Sequence, residues 1–188
     1  EKIITNYFEE NSQLAGVVYT KIPGTPKQNY WEKGFAMRHS IVAGGGKNVQ
    51  VIGTPCIFRS DYGKQVGFNR ELAGSCDDTV FCDRLIEAGF TLRAIPENAI
   101  EIVRASLSET VKKAFWYGKG DSEYIKLYSN NRYRHLFHVL IRGPLIYPAS
   151  IFLNKPILIP FFIIFGLSRV LGLIYGLSVK QDLAKTSS

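Results

Sequence analysis

Two aspartates, Asp77 and Asp78, stand side by side in the stretch GSCDDTVFCDRLIEAGF, residues 74–90. Neighbouring like charges repel, so the pair needs a reason. One reason is structural: a carboxylate at a helix start is stabilised by free backbone N–H groups and the positive end of the helix dipole. A single aspartate is enough for that. The other reason is chemical: a carboxylate fixed on a rigid helix start can accept a proton from an attacking hydroxyl. Gly89, a residue that tolerates φ > 0, closes the helix expected over residues 77–88.

Other residue types that could carry chemistry point to less. The cysteines, Cys56, Cys76 and Cys82, form no C-x-x-C pair, and no histidine is near them in sequence, which argues against a zinc site. His39, His135 and His138 are scattered and suggest no ligand set. Gly44-Gly45-Gly46-Lys47-Asn48 lacks the spacing of a phosphate-binding loop and reads as a flexible loop. Asn131-Arg132-Tyr133-Arg134-His135 mixes basic and aromatic residues, but it directly precedes an apolar stretch, so lipid headgroups fit it better than nucleic acid.

The elements that must position the aspartates alternate in type. Residues 1–11 space apolar side chains on a helical face, and LAGVVYT (14–20) reads as a buried strand. A Pro- and Gly-containing loop follows, then a helix over Trp31–Val42. Residues 48–60 read as an extended run broken at Gly53-Thr54-Pro55. Beyond the aspartate helix, residues 91–96 and 99–103 are expected as two short strands. Ser106-x-x-Glu109 then fits a capping box opening a basic, aromatic helix. This alternation predicts an α/β domain over residues 1–128.

From residue 129 the character changes. Residues 157–177 carry one charge, Arg169, and are long enough to span a hydrocarbon core of about 30 Å. Residues 136–153, with His138, Arg142 and two prolines, fit an interfacial or re-entrant helix better. Basic residues flank the apolar region on both sides, which predicts a hairpin with both ends cytoplasmic. A membrane-associated helical region over 129–180 and a polar tail over 181–188 complete the expected organisation. The chain has 188 residues, a formal net charge of +7 and a pI near 9.3, so an anionic partner is expected.

The order G-T-P-C-I-F-R-S, V-G-F-N-R-E-L, D-D-x-x-x-x-x-R-L-x-x-A-G-F and I-P-E-N-A resembles the second half of family 2 glycosyltransferases over about residues 1–125. The resemblance implies an α/β fold, the C-terminal half of a GT-A-like nucleotide-sugar transferase domain, followed by a hydrophobic helical membrane segment. It further implies inverting transfer from a nucleotide-diphosphate sugar to a lipid-linked or polysaccharide acceptor, at the cytoplasmic face of the cell membrane and without nucleic acid. Asp78 matches the family's general base, and Asp77 stands where glutamate is usual. Arg59 and Gly53, in and before the F-R motif, are implied on the substrate side.

Lys113, Trp116 and Lys119 lie in the stretch that corresponds to the family's Q-x-x-R-W. Here lysine replaces the glutamine and tryptophan the arginine, so a lysine point charge would stand in for the arginine contact to the leaving group. The family's divalent cation, Mg²⁺ or Mn²⁺, sits on a D-x-D motif that this sequence lacks, and Asp121-Ser122-Glu123 is out of place for it. The resemblance therefore implies that most metal ligands and the donor-binding half lie outside this chain, which alone should be inactive. The rival expectation is a non-catalytic, membrane-anchored basic domain that binds lipid or protein partners.

Overall fold

The computed structural model of the chain describes residues 4–23, 27–42, 48–53, 55–69, 72, 75–102, 105–128 and 131–179. The fold is mixed α/β, with a three-stranded sheet and, among the described residues, seven α-helices. It divides into two compact units, Glu1–Glu71 with Asp77–Ser106, and Leu72–Cys76 with Leu107–Ser188. The division falls after Ser106, so the basic, aromatic helix groups with the apolar helices.

In the first unit the β-branched run at Val17–Val18 lies in β1 (Leu14–Pro23), the centre of the sheet. β2 (Cys56–Phe58) pairs with it antiparallel and β3 (Thr91–Glu101) pairs parallel. Leu14 and Val17 pack with Phe8 and Ile95, while Ala15 and Val18 join a second cluster with Ile52, Phe81 and Leu85. That spacing of three between same-face residues marks the register irregularity between Leu14 and Gly16. Both sheet faces are thereby covered.

β3 is one strand where the sequence predicts two. Pro96 and Glu97 interrupt the apolar pattern, but a second irregularity between Tyr19 and Thr20 takes them up, with Tyr19 opposite Ile95 and Thr20 opposite Asn98. Helix α1 (Tyr30–Val42) starts one residue earlier than expected. Asn29 Oδ1 accepts the N–H groups of Trp31 and Glu32, and Glu32 returns a carboxylate to the Asn29 N–H, a reciprocal cap. Helix α2 (Ser60–Val66) has no counterpart in the sequence expectations. Helix α3 (Asp77–Glu87) begins at the aspartate pair as expected. Gly89, at φ 88°, ends it, with Gly89 N–H donating to Ile86 O and Phe90 N–H to Leu85 O.

The second unit is helical. α4 (Leu107–Leu127) follows Ser106 directly. α5 (Arg132–Phe137), a π-helical stretch (His138–Ile146) containing Pro144, and α6 (Tyr147–Ile151) form one continuous helical arm. The wider turn tolerates a residue that has no N–H to give. After the turn at Phe152–Asn154, a 3₁₀ turn (Pro156–Leu158) leads into α7 (Ile159–Ser178). Tyr147 meets Phe162, and a Cβ on Gly166 would press on Pro144, so the two arms run antiparallel as a hairpin. Residues Pro156–Ser178 are the one helix, among those described, long and apolar enough to cross a membrane.

Three glycines let α4 and α7 approach closely. A Cβ on Gly118 would strike the Arg169 carbonyl oxygen, one on Gly172 the Phe115 carbonyl, and one on Gly176 the Ser122 hydroxyl. Gly118→Val is expected to destabilise this unit by about 3 kcal/mol, near the top of the overpacking range, because backbone cannot yield as a side chain would. Chemical unfolding of the variant in detergent measures it.

Candidate functional site

The first turn of α3 and the segment Val51–Gly53 form one small construction. Asp78 and Cys82 lie four residues apart, hence on one face of α3. The Cys82 sulfur accepts the Ile52 N–H at 3.4 Å, and the Ile52 side chain is buried in the core beside Phe81 and Leu85. This fixes the next residue, Gly53, against the helix start, where a Cβ would come within 3.3 Å of Asp78 Oδ2. The structure thus brings together Asp78 and Gly53, 25 positions apart in sequence.

The Asp78 carboxylate has two distinct oxygens. Oδ1 accepts the Thr79 N–H at 2.7 Å, a free donor of the first turn. Among the described residues Oδ2 accepts no hydrogen bond and faces Gly53. One oxygen therefore accepts from the helix start, while the other accepts no hydrogen bond among the described residues. Burial holds this carboxyl above the ordinary carboxylate range, and the negative charge of exposed Asp77 pushes the same way; the Thr79 N–H opposes both. A carboxylate made more basic, with one oxygen that accepts no hydrogen bond, is suited to accept a proton. The Cys82 thiol is pushed up to about 12, chiefly by burial, and stays protonated as a core side chain.

Arg59 is turned to other partners. Its guanidinium donates to Phe8 O at 3.3 Å and to Asp61 at 3.4 Å, and lies 4.7 Å from the Tyr62 ring centroid. It braces the π-helical turn Ile4–Glu9, and no contact joins it to Asp78 among the described residues. Lys113, Trp116 and Lys119 belong to α4, in the second unit. All are exposed; Lys119 sits 5.8 Å over the Tyr175 ring and Trp116 packs on Tyr117.

A second cluster, in the helical unit, escapes sequence reading. Asp121 is fully buried and accepts Arg169 Nε at 2.6 Å, Arg169 Nη2 at 2.8 Å and His135 Nε2 at 2.8 Å, with the Cys76 thiol at 3.6 Å. Burial alone would raise its carboxyl; the charge and paired hydrogen bonds of Arg169, with His135, outweigh burial and bring it down to about 2. The sequence places no histidine near a cysteine, yet folding sets the ligand atoms of Cys76, Asp121 and His135 within 4.8 Å of one another. The signal was Arg169 itself, since one cation in an apolar helix demands a partner.

This cluster does not suit the Mg²⁺ or Mn²⁺ that the resemblance implies. Those ions take hard oxygen donors, whereas here a thiol and an imidazole flank a carboxylate whose two oxygens already hold a guanidinium. The expected Gly44–Lys47 loop, Thr54 of the first motif, Arg70 and Glu71 of the second, and the tail at 181–188 lie outside the described residues. No protein-family model matches the chain, and no curated protein matches it.

Proposed function

We propose that the chain is the C-terminal part of a membrane-associated, inverting family 2 glycosyltransferase with a GT-A-like domain, acting on the cytoplasmic face of the cell membrane. The acceptor, lipid-linked or polysaccharide, attacks the anomeric carbon through a hydroxyl oxygen. The bond to the nucleotide diphosphate breaks on the opposite face, and the hydroxyl proton passes to Asp78. Mg²⁺ or Mn²⁺ would be held mainly by residues outside this chain.

The observation that carries this reading is the Asp78 carboxylate: fixed through one oxygen, with the other accepting no hydrogen bond among the described residues, and more basic than an ordinary aspartate. The order of the quoted motifs gives it context. Arg59, being bonded to Phe8 and Asp61, supports the substrate side by bracing. Lys113, Trp116 and Lys119 remain assigned to the leaving-group side on the resemblance alone.

The non-catalytic reading, a basic domain binding lipid or protein, draws on one observation of its own. Residues 72–76 and 107–188 hold eleven Lys and Arg against four Asp and Glu, while the other unit holds twelve against twelve, so the entire +7 excess lies in the helical unit.

Assay of the full-length protein in detergent against a panel of nucleotide sugars separates the two. Acceptor-dependent release of nucleoside diphosphate is expected, and its absence across the panel favours the binding domain. Gly53 does not sit at positive φ, so alanine fits its backbone but crowds Asp78 Oδ2. Gly53→Ala is expected to slow transfer about tenfold, through misplacement of the base, with thermal unfolding little changed.

A further inference from the structure

Helix α7 meets the length and composition of a membrane span, but its partner helix does not. α4 runs beside α7 in the same direction: Tyr117 meets Phe165, Asp121 meets Arg169, Ser122 abuts Gly176, and Lys126 Nζ donates to Gly176 O at 2.7 Å and Val179 O at 3.2 Å. So α7 is flanked from Phe165 to Val179 by a helix whose Lys119 and Lys126 are exposed. Crossing a bilayer takes about 20 residues in hydrocarbon, and only residues 156–164 precede that flanked stretch. A lipid-surrounded α7 would draw α4 into the hydrocarbon beside it, including exposed Lys112 and Lys113, about one turn before Tyr117, where cations are strongly disfavoured.

The exposed residues mark another orientation. On α7, Ile163, Leu167, Leu171, Ile174 and Leu177 are exposed at helical spacing, a stripe along the helix. On the antiparallel arm, Phe137, Ile141, Leu145 and Phe152 are exposed as well, and so are Arg132, Arg134 and Arg142 of the same arm. The same unit carries the whole positive excess of the chain. Long apolar stripes bordered by cations are the pattern of helices lying in a bilayer interface, with acyl chains against the stripe and anionic headgroups against the basic residues.

We infer that the helical unit lies in the interfacial plane of an anionic lipid bilayer, with the hairpin's apolar stripes turned to the acyl chains, and that α7 does not cross. This rests on the membrane association proposed above but not on sugar transfer, so loss of one leaves the other standing.

The test places single cysteines at exposed Asn154, in the hairpin turn, and Ser178, at the end of α7, in the full-length protein. Sealed membrane vesicles of both orientations are treated with a membrane-impermeant maleimide, the unsubstituted protein serving as the blank for Cys56, Cys76 and Cys82. The protein is expected to stay with the vesicles through a salt wash. Asn154→Cys and Ser178→Cys should label from the same face, or the former only after detergent. Labelling from opposite faces overturns the inference, as does recovery in the soluble fraction, which would mean that a second copy or another protein covers the stripes. Purified protein should also float at least tenfold more with phosphatidylcholine vesicles containing phosphatidylglycerol than with phosphatidylcholine alone, and equal flotation would contradict the headgroup contact.

Discussion

Replacing Arg169 with methionine is expected to destabilise the helical unit by about 3–5 kcal/mol, since the change leaves a buried carboxylate with its principal counter-charge removed. Asp121 has no exposure to water, and both of its oxygens accept from that guanidinium. His135 remains as one donor and cannot replace a bidentate cation. Removing both partners, as Asp121→Asn with Arg169→Met, should cost less than the sum of the single changes. The network also fixes a pH dependence. The folded Asp121 carboxyl lies at about 2, below the ordinary aspartate value, so its stabilisation is present above about pH 4 and is lost as pH falls towards 2. Denaturant unfolding in detergent measures each change, and a loss under about 0.5 kcal/mol for Arg169→Met would show the pair to be incidental.

Asp78→Asn is expected to reduce transfer by the full-length protein about a thousandfold, or about 4 kcal/mol of transition-state stabilisation, while leaving the fold as stable or more so. Asparagine keeps an oxygen for the Thr79 N–H and removes the ionisable group. Because the folded Asp78 carboxyl is raised, the native state holds that proton to higher pH than the unfolded chain does. Stability therefore falls as pH rises from the ordinary carboxylate range through the folded value, and at neutral pH the ionised side chain is a standing cost. The variant should unfold at a higher temperature near pH 7, with the advantage fading in acid. A carboxylate serving only the helix dipole would instead lose about 0.3–1 kcal/mol on the same change.

Much of the first unit could be read from local chemistry. The limits of α3 follow from a carboxylate at the start and Gly89 at the end, both properties of single residues. β1 announced itself through its unbroken apolar run. The joining of residues 91–101 into one strand did not, because exposed Pro96 looks like a break until the neighbouring strand's irregularity is known. α2 buries no residue and so has no apolar period to find.

The two side-chain clusters divide along similar lines. Asp78 could be singled out from its neighbour and its helix. Its closeness to Gly53 depends on a thiol, Cys82, that carries no visible signal beyond being small and apolar. The Asp121 network joins positions 76, 121, 135 and 169, and its aspartate sits in a helix that reads as polar. The glycines of α4 and α7 were equally mute, because close backbone approach is a property of the pair of helices and not of either alone.

The most direct measurement compares Asp78→Asn with Asp77→Asn in the full-length protein, by turnover at saturating donor together with donor affinity. Asp77 is exposed, and it acts on its neighbour through charge, so its loss should slow transfer less than tenfold. Asp78→Asn should lose at least a hundredfold in turnover with donor affinity unchanged. Unchanged turnover for Asp78→Asn, or an equal loss for both variants, would contradict a proton-accepting role for this carboxylate.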